Sequence, residues 1–319
     1  MGPAKAQELA AQALRAVACN DGIAKLVQGS RELYPLLYNA ARRYMAGESR
    51  EDAVCEAVRL GYKGYGVSLC LMGKEAADER ECSAVRDELL RLVGMLGIAG
   101  RSSTILLNLS HIGMAVDREL TYRYLVQLIR EAAIYGIETL IECEEESGMD
   151  DALDIYKRAA ESHSSLGMTL MAHWPRTDED IREILPLTGR IRIVTDRDNY
   201  GGDQRELVAE QRKERGIGLI ETALSTGRPV SIAGCDEAYY LPGGRAQRFG
   251  ARNAEIELPY GVRPEQAKQL KEKGCRTRVR LPYGKAWFPY FLHRLADHPS
   301  QVYRAIADIA SLQAPEETY

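Results

Sequence analysis

The chain reads as an α/β protein, a TIM-type (β/α)8 barrel with a helical N-terminal segment. Three observations predict this. Eight short apolar runs alternate with helical segments from residue 61 onward, and parallel strands need helical crossovers of this kind. Eight such strands in 319 residues favour closure into one sheet without edges. No Gly-x-Gly-x-x-Gly follows the first run, which counts against the open, doubly wound alternative.

Residues 1–60 are expected to form the helical segment and residues 61–319 the barrel. Ala6–Val17, Ile23–Val27 and Leu33–Met45 are Ala- and Leu-rich without strand-like alternation, so they read as helices. Ser49, followed by Glu51 and Asp52, has the form of a capped helix start, and Gly61 stops the helix it begins. The predicted strands are Gly66–Leu71, Thr104–Leu109, Thr139–Ile141, Met168–Ala172, Ile191–Val194, Val230–Ala233, Ala254–Leu258 and Thr277–Leu281. Between them lie helical stretches at Asp78–Leu96, Leu120–Tyr135, Asp150–Ser162, Asp178–Leu185, Glu206–Ser225 and Pro264–Lys273. The last strand ends at Pro282-Tyr283-Gly284, a turn signal, and Tyr290, His293, Arg294 and Asp297 then repeat at helical spacing.

A hydrophobic fraction of 45% and a charged fraction of 28% are ordinary for a globular enzyme. The net charge of -4 gives no reason to expect nucleic acid or an acidic membrane as partner. No apolar run reaches the roughly 20 residues a bilayer demands, and the first residues lack a signal-peptide core, so a cytoplasmic location is expected. The seven cysteines show no CxxC spacing, which argues against a disulfide framework or zinc ribbon.

Barrel enzymes carry their chemistry at the C-terminal strand ends. In strand order those ends present Asn108 and His111, Glu142 and Glu144, then Met171 and His173. The fifth offers Arg192, Thr195, Asp196 and Asp198, and the sixth Gly234, Cys235 and Asp236. The seventh and eighth add Glu255, Glu257, Arg278 and Arg280. Strand parity places Glu142 with Glu144, Arg192 with Asp196, and Arg278 with Arg280 on common faces. Turned inward, these would line the mouth with opposite charges, a costly arrangement that a functional pocket explains better than structural economy.

The segment Arg278-x-Arg-x-Pro282-x-Gly284, then Tyr290-x-x-His-Arg294-Leu295-x-Asp297, resembles the closing strand and helix of the proline dehydrogenase family. Earlier stretches are similar in the same order: Leu71-Met-Gly-Lys-Glu75, Leu107-Asn-Leu-Ser-His-Ile-Gly113, Ile141-Glu-Cys-Glu144, Leu170-Met-Ala-His-Trp-Pro-Arg-Thr177 and Arg190-Ile-Arg-Ile-Val-Thr195. The likeness covers residues 60–312. It implies a noncovalent flavin adenine dinucleotide (FAD) at the barrel mouth and oxidation of a small amino acid or cyclic amine.

Several family positions differ here. The strand-two lysine is Asn108, the strand-four glutamine Met171, the Thr-His pair Gly234-Cys235, the strand-eight tyrosine Arg280, and the first of two carboxylate-binding arginines His293. A substrate other than proline follows. By the resemblance, Arg192 and Tyr290 serve catalysis; Arg280, a departure that adds a cation across the mouth from Glu142, is expected to pair with it as a new polar wall that joins them in catalysis. His293, Arg294, Tyr290, Asn108 and Asp198 would hold the substrate. Arg192, Met171, Thr195, Ala233, Gly234 and Cys235 would meet the flavin. The alternatives are a flavin-free enzyme using acid-base groups or a divalent metal on Glu142, Glu144 and His173, and a noncatalytic ligand-binding descendant.

Overall fold

The computed structural model describes residues 3–100, 103–143, 145–195, 209–234, 253–299, 301–311 and 319. Eight parallel strands close into a barrel in sequence order, each hydrogen-bonded to the next and β8 to β1. They are β1 (Gly66–Leu71), β2 (Thr104–Asn108), β3 (Glu138–Glu142), β4 (Leu166–Met171), β5 (Ile191–Val194), β6 (Val230–Ala233), β7 (Ala254–Pro259) and β8 (Thr277–Tyr283). The strands match the eight predicted runs to within about two residues at either end, the usual margin for element boundaries.

The N-terminal segment forms α1 (Pro3–Ala18), α2 (Asp21–Gly29), α3 (Leu33–Ala41) and α4 (Arg50–Tyr62). Local chemistry sets several starts. Asn20 accepts hydrogen bonds from the Gly22 and Ile23 amides, and Ser49 and Asp52 form a reciprocal capping box. The outer helices are α5 (Glu79–Ile98), α6 (Arg118–Ile134), α7 (Met149–Ala160), α8 (Thr177–Ile184), α9 (Ala209–Ser225) and α10 (Pro264–Glu272). Asp78 caps α5, Asp117 caps α6, and Pro264 opens α10 where its missing amide costs nothing. The chain ends with α11 (Trp287–Asp297) and α12 (Gln301–Ser311). Among the described residues, no helix is long and apolar enough to cross a membrane.

The N-terminal helices close over the end of the chain. Helix α1 packs along α11, and Arg43 makes two hydrogen bonds of 2.6 Å to Asp308 of α12. Trp287 is fully buried between Tyr34 and Tyr38, with edge-on ring contacts at 5.5 and 5.4 Å. Gly261 is the tightest joint: at φ +73° its added Cβ would lie 1.7 Å from the Arg43 carbonyl oxygen. Gly261→Ala is therefore expected to destabilise the protein by about 2 kcal/mol or more, combining left-handed strain with backbone overlap. Urea unfolding checks this; an unchanged midpoint would mean that the segments separate without penalty.

Candidate active site

The barrel interior holds two tiers of ion pairs. In the lower tier, Glu255 accepts from Arg278 at 2.5 Å, Arg190 at 2.7 Å and Ser231 at 2.6 Å. Arg190 also reaches Glu138 at 2.7 Å, and Arg278 donates to Thr104 and to the Val67 carbonyl. In the upper tier, Arg192 spans two carboxylates, Glu142 at 2.8 Å and Glu257 at 2.7 Å. Ser68 donates to the other Glu257 oxygen at 2.7 Å, and Arg280 donates to the second Glu142 oxygen at 3.2 Å. Strand register explains the tiers. Residues two apart on β3, β5, β7 and β8 point inward at successive heights, so Arg190, Glu255 and Arg278 lie one step below Arg192, Glu257 and Arg280. Cys70, Leu106 and Leu140 fill the rest of the interior on β1, β2 and β3.

Inward charges were expected to mark a pocket; the structure divides them. The lower tier satisfies itself and lies outside the cavity lining, whereas Glu142 and Arg280 of the upper tier open into a cavity of about 340 Å³ at the C-terminal mouth. Asn108, His111, Met72, Gly73 and Lys74 form one side of that cavity, and Pro289, Tyr290 and His293 of α11 form another. Ala18, Cys19 and Asp21 close it from the N-terminal segment, where Asp21 is ion-paired with Lys74.

The strand-eight exit sets the α11 face. Trp287 anchors the helix start by donating to Glu48 at 2.9 Å, which turns Tyr290 and His293 toward the cavity. Arg294 does not join them. Although spacing puts 290, 293, 294 and 297 on one face, adjacent helical residues diverge by about 100°, enough to split His293 from Arg294. Arg294 is 2% exposed and donates to Asp297 at 3.3 Å, its guanidinium 5.4 Å from the Tyr290 ring centroid. Asp297 also accepts from Arg15 of α1 at 2.8 Å. Of the residues expected to bind substrate, Tyr290, His293 and Asn108 line the cavity, Arg294 does not, and Asp198 lies outside the described residues.

Arg192 lies deeper than the cavity wall and is 3% exposed. Its planar fork bridges two carboxylates, so it braces Glu142. Met171, Val194 and Ala233 stand side by side at the ends of β4, β5 and β6, with Thr195 and Gly234 at the edge. Cys235 and Glu144 lie outside the described residues. His173 packs its ring edgewise on Trp174. Among the described residues, no group of three or more His, Cys, Asp or Glu side chains could hold a metal ion.

Electrostatics give the cavity a balanced character. Burial alone would raise the Glu142 pKa, but the Arg280 and Arg192 charges outweigh it and hold the carboxyl below its usual range. Burial lowers His111, against a smaller opposing pull from Glu142. His293 is lowered chiefly by burial too, with Asp297 opposing and Arg294 and Arg15 assisting. Both imidazoles are therefore neutral at pH 7, and His293 does not replace the cation that an arginine would supply there. Below the ordinary imidazole value of 6.5 the unfolded chain takes up protons at these sites before the native chain does. Stability should thus decline as pH falls through the window just below 6.5. Urea unfolding at a series of pH values checks this, and a His111→Asn/His293→Asn variant should show a shallower decline.

Sequence reading missed the N-terminal contribution of Ala18, Cys19 and Asp21, because the resemblance begins only near residue 60. It also named His111 only among the residues at the end of the second strand. Its place in a loop immediately after β2, beside Asn108, was the available signal.

A closed parallel barrel with a polar cavity at its C-terminal mouth defines the class of (β/α)8-barrel enzymes. No family model matches the sequence. Among curated proteins the chain is similar to proline dehydrogenase 1 of Bacillus subtilis, at 29% identity over 268 residues, covering 82% of this chain and 87% of that one. Proline dehydrogenase 2 of the same organism is 24% identical over 270 residues, covering 82% and 88%. The Deinococcus radiodurans proline dehydrogenase is 25% identical over 283 residues, covering 82% and 87%. Among solved structures, proline utilization A from Bdellovibrio bacteriovorus superposes with a TM-score of 0.69 at 14% identity, over 86% of this chain. The Bradyrhizobium japonicum protein gives 0.65 at 15% identity, also over 86% of this chain. The chain spans 35% and 32% of those two proteins, and the likeness to them concerns the fold. Within its class, the homologues and the shared barrel support a member of the proline dehydrogenase superfamily.

Proposed function

We propose that this protein is a proline-dehydrogenase-like oxidoreductase that oxidises a small amino acid or cyclic amine other than proline. The observation that carries the reading is the Arg280–Glu142 pair, which presents one cation and one anion to the same small cavity. A zwitterionic substrate matches that pattern, its carboxylate toward Arg280 and its ammonium toward Glu142. His293 contributes a neutral hydrogen-bonding group and Tyr290 a packing surface beside them. Arg192 acts as a positioning residue, keeping Glu142 ionised and oriented. Arg294 positions α11 through Asp297 and so serves the site indirectly.

The cofactor reading is FAD, and the described residues fit its ring end. Met171, Val194 and Ala233 stand in register at the ends of β4, β5 and β6, an apolar set of the kind an aromatic face packs on, and Gly234 follows them without a side chain of its own. Arg192 lies two residues deeper than Val194 on the same inward face. When bound, the flavin supplies the hydride acceptor. The protein's own part is to hold the substrate carbon toward that apolar set and to exclude water through α1 and α11.

The test is to purify the protein, add FAD, and follow dye-linked oxidation across secondary α-amino acids and cyclic amines, with proline included. Bound flavin should give bands near about 375 and 450 nm. Turnover of a non-proline amine above proline supports the reading. Inertness toward the whole panel, or failure to retain flavin, rejects it.

A further inference from the structure

We propose that His111 is the base that takes the proton from the substrate's ammonium group. The inference rests on the amine-oxidising reading and adds a catalytic residue to it. His111 sits on the 3-10 turn Leu109–Ile112 that follows β2 and is 8% exposed. The turn is fixed at both sides: Asn108 accepts from the Ser110 amide at 3.0 Å, and the Ser110 carbonyl accepts from Ala76 at 3.1 Å. The imidazole lines the cavity, and among the described residues its ring nitrogens make no hydrogen bond. Open on the cavity rather than enclosed by protein, those nitrogens are placed to meet a ligand there.

The ring's surroundings suit a proton acceptor. Gly73 lies beside the ring, where a Cβ would come within 3.4 Å of it. The titratable groups that share the cavity with it are Glu142, Arg280, Lys74, Asp21, Tyr290, His293 and the thiols Cys19 and Cys70. Glu142 is the anion that acts on it, favouring the imidazolium once a proton arrives, while burial keeps the resting ring neutral.

Amine oxidation needs such a group, because a protonated nitrogen has no lone pair to expel hydride from the adjacent carbon. In the proposed step an N–H bond of the ammonium breaks, its electron pair stays on nitrogen, and the proton moves to a His111 ring nitrogen. The neighbouring C–H bond then breaks and its hydrogen leaves with both electrons to the flavin. The amine becomes an iminium cation, and the imidazolium later returns its proton to water.

Two measurements test this. In the cofactor-free protein with 15N-labelled histidine, N,N-dimethylglycine should shift the His111 ring resonances, whereas trimethylglycine, which has no N–H, should not. Equal shifts from both, or none from either, overturn the proposal. In the flavin-loaded enzyme, His111→Gln and His111→Asn should lower kcat/KM about 100-fold and remove the acidic limb of unit slope from its pH profile. Variants that remain folded by circular dichroism but keep that limb and lose less than about threefold in rate also overturn it. A selective dimethylglycine shift in a wild-type protein inert toward every amine would leave the acceptor role standing and reject the oxidoreductase reading instead.

Discussion

Arg192→Met is expected to destabilise the protein by about 3–5 kcal/mol, the cost of stranding a buried carboxylate whose partner has been removed. The guanidinium is the joint of the upper tier, reaching Glu142 on one side and Glu257 on the other at 2.6–2.8 Å. Its side chain is 3% exposed, and those of its partners are 6% and 1% exposed, so water cannot replace it. Arg192→Lys should recover little, because a point charge on a flexible stem cannot span two carboxylates as a planar fork does. Adding Glu257→Gln to Arg192→Met should restore part of the loss by removing one orphaned charge. Urea denaturation of the four proteins measures all of this. A loss below about 1 kcal/mol for Arg192→Met would mean that the tier is hydrated and carries little of the fold.

Arg280→Ala should act on function more than on folding. Its side chain is 18% exposed and faces the cavity, and Glu142 keeps Arg192 after it is gone. The expected change is a fall in kcat/KM of about 100-fold, corresponding to about 2.7 kcal/mol for a lost charge-assisted contact. The stability loss should be less than half that of Arg192→Met. Arg280 is also the leading charge holding the Glu142 pKa down, so its removal should move any Glu142-dependent limb of the activity profile toward higher pH. Arg280→Lys should be intermediate in rate. An Arg280→Ala enzyme with unaltered kcat/KM would place the substrate carboxylate elsewhere.

Together the two substitutions separate neighbouring arginines that look alike in the sequence. Both lie on inward strand positions, and both touch Glu142. They differ in height above the barrel floor and in what lies beyond them. One is enclosed by carboxylates on both sides, and the other borders open space, so one bears on folding and the other on the ligand.

The sequence by itself determined the barrel. Strand-length apolar runs separated by helix-length crossovers leave few other topologies, and local signals such as Ser49 and Asp52, or Pro264, set where helices begin. The grouping of charges within strands was also legible, because a period of two puts Glu142 with Glu144, Arg192 with Asp196 and Arg278 with Arg280 on common faces. Tertiary structure alone decided which of those charges meet one another and which meet a cavity. Pairing across a barrel depends on the stagger between strands far apart in sequence, which no local pattern encodes. It likewise decided that Arg294 turns to Asp297 while His293 turns inward, and that Asp21, some 270 residues before His293, shares a cavity with it. Those outcomes follow from how α1 packs against α11, and a contact between the two ends of a chain is settled only when the whole chain has closed.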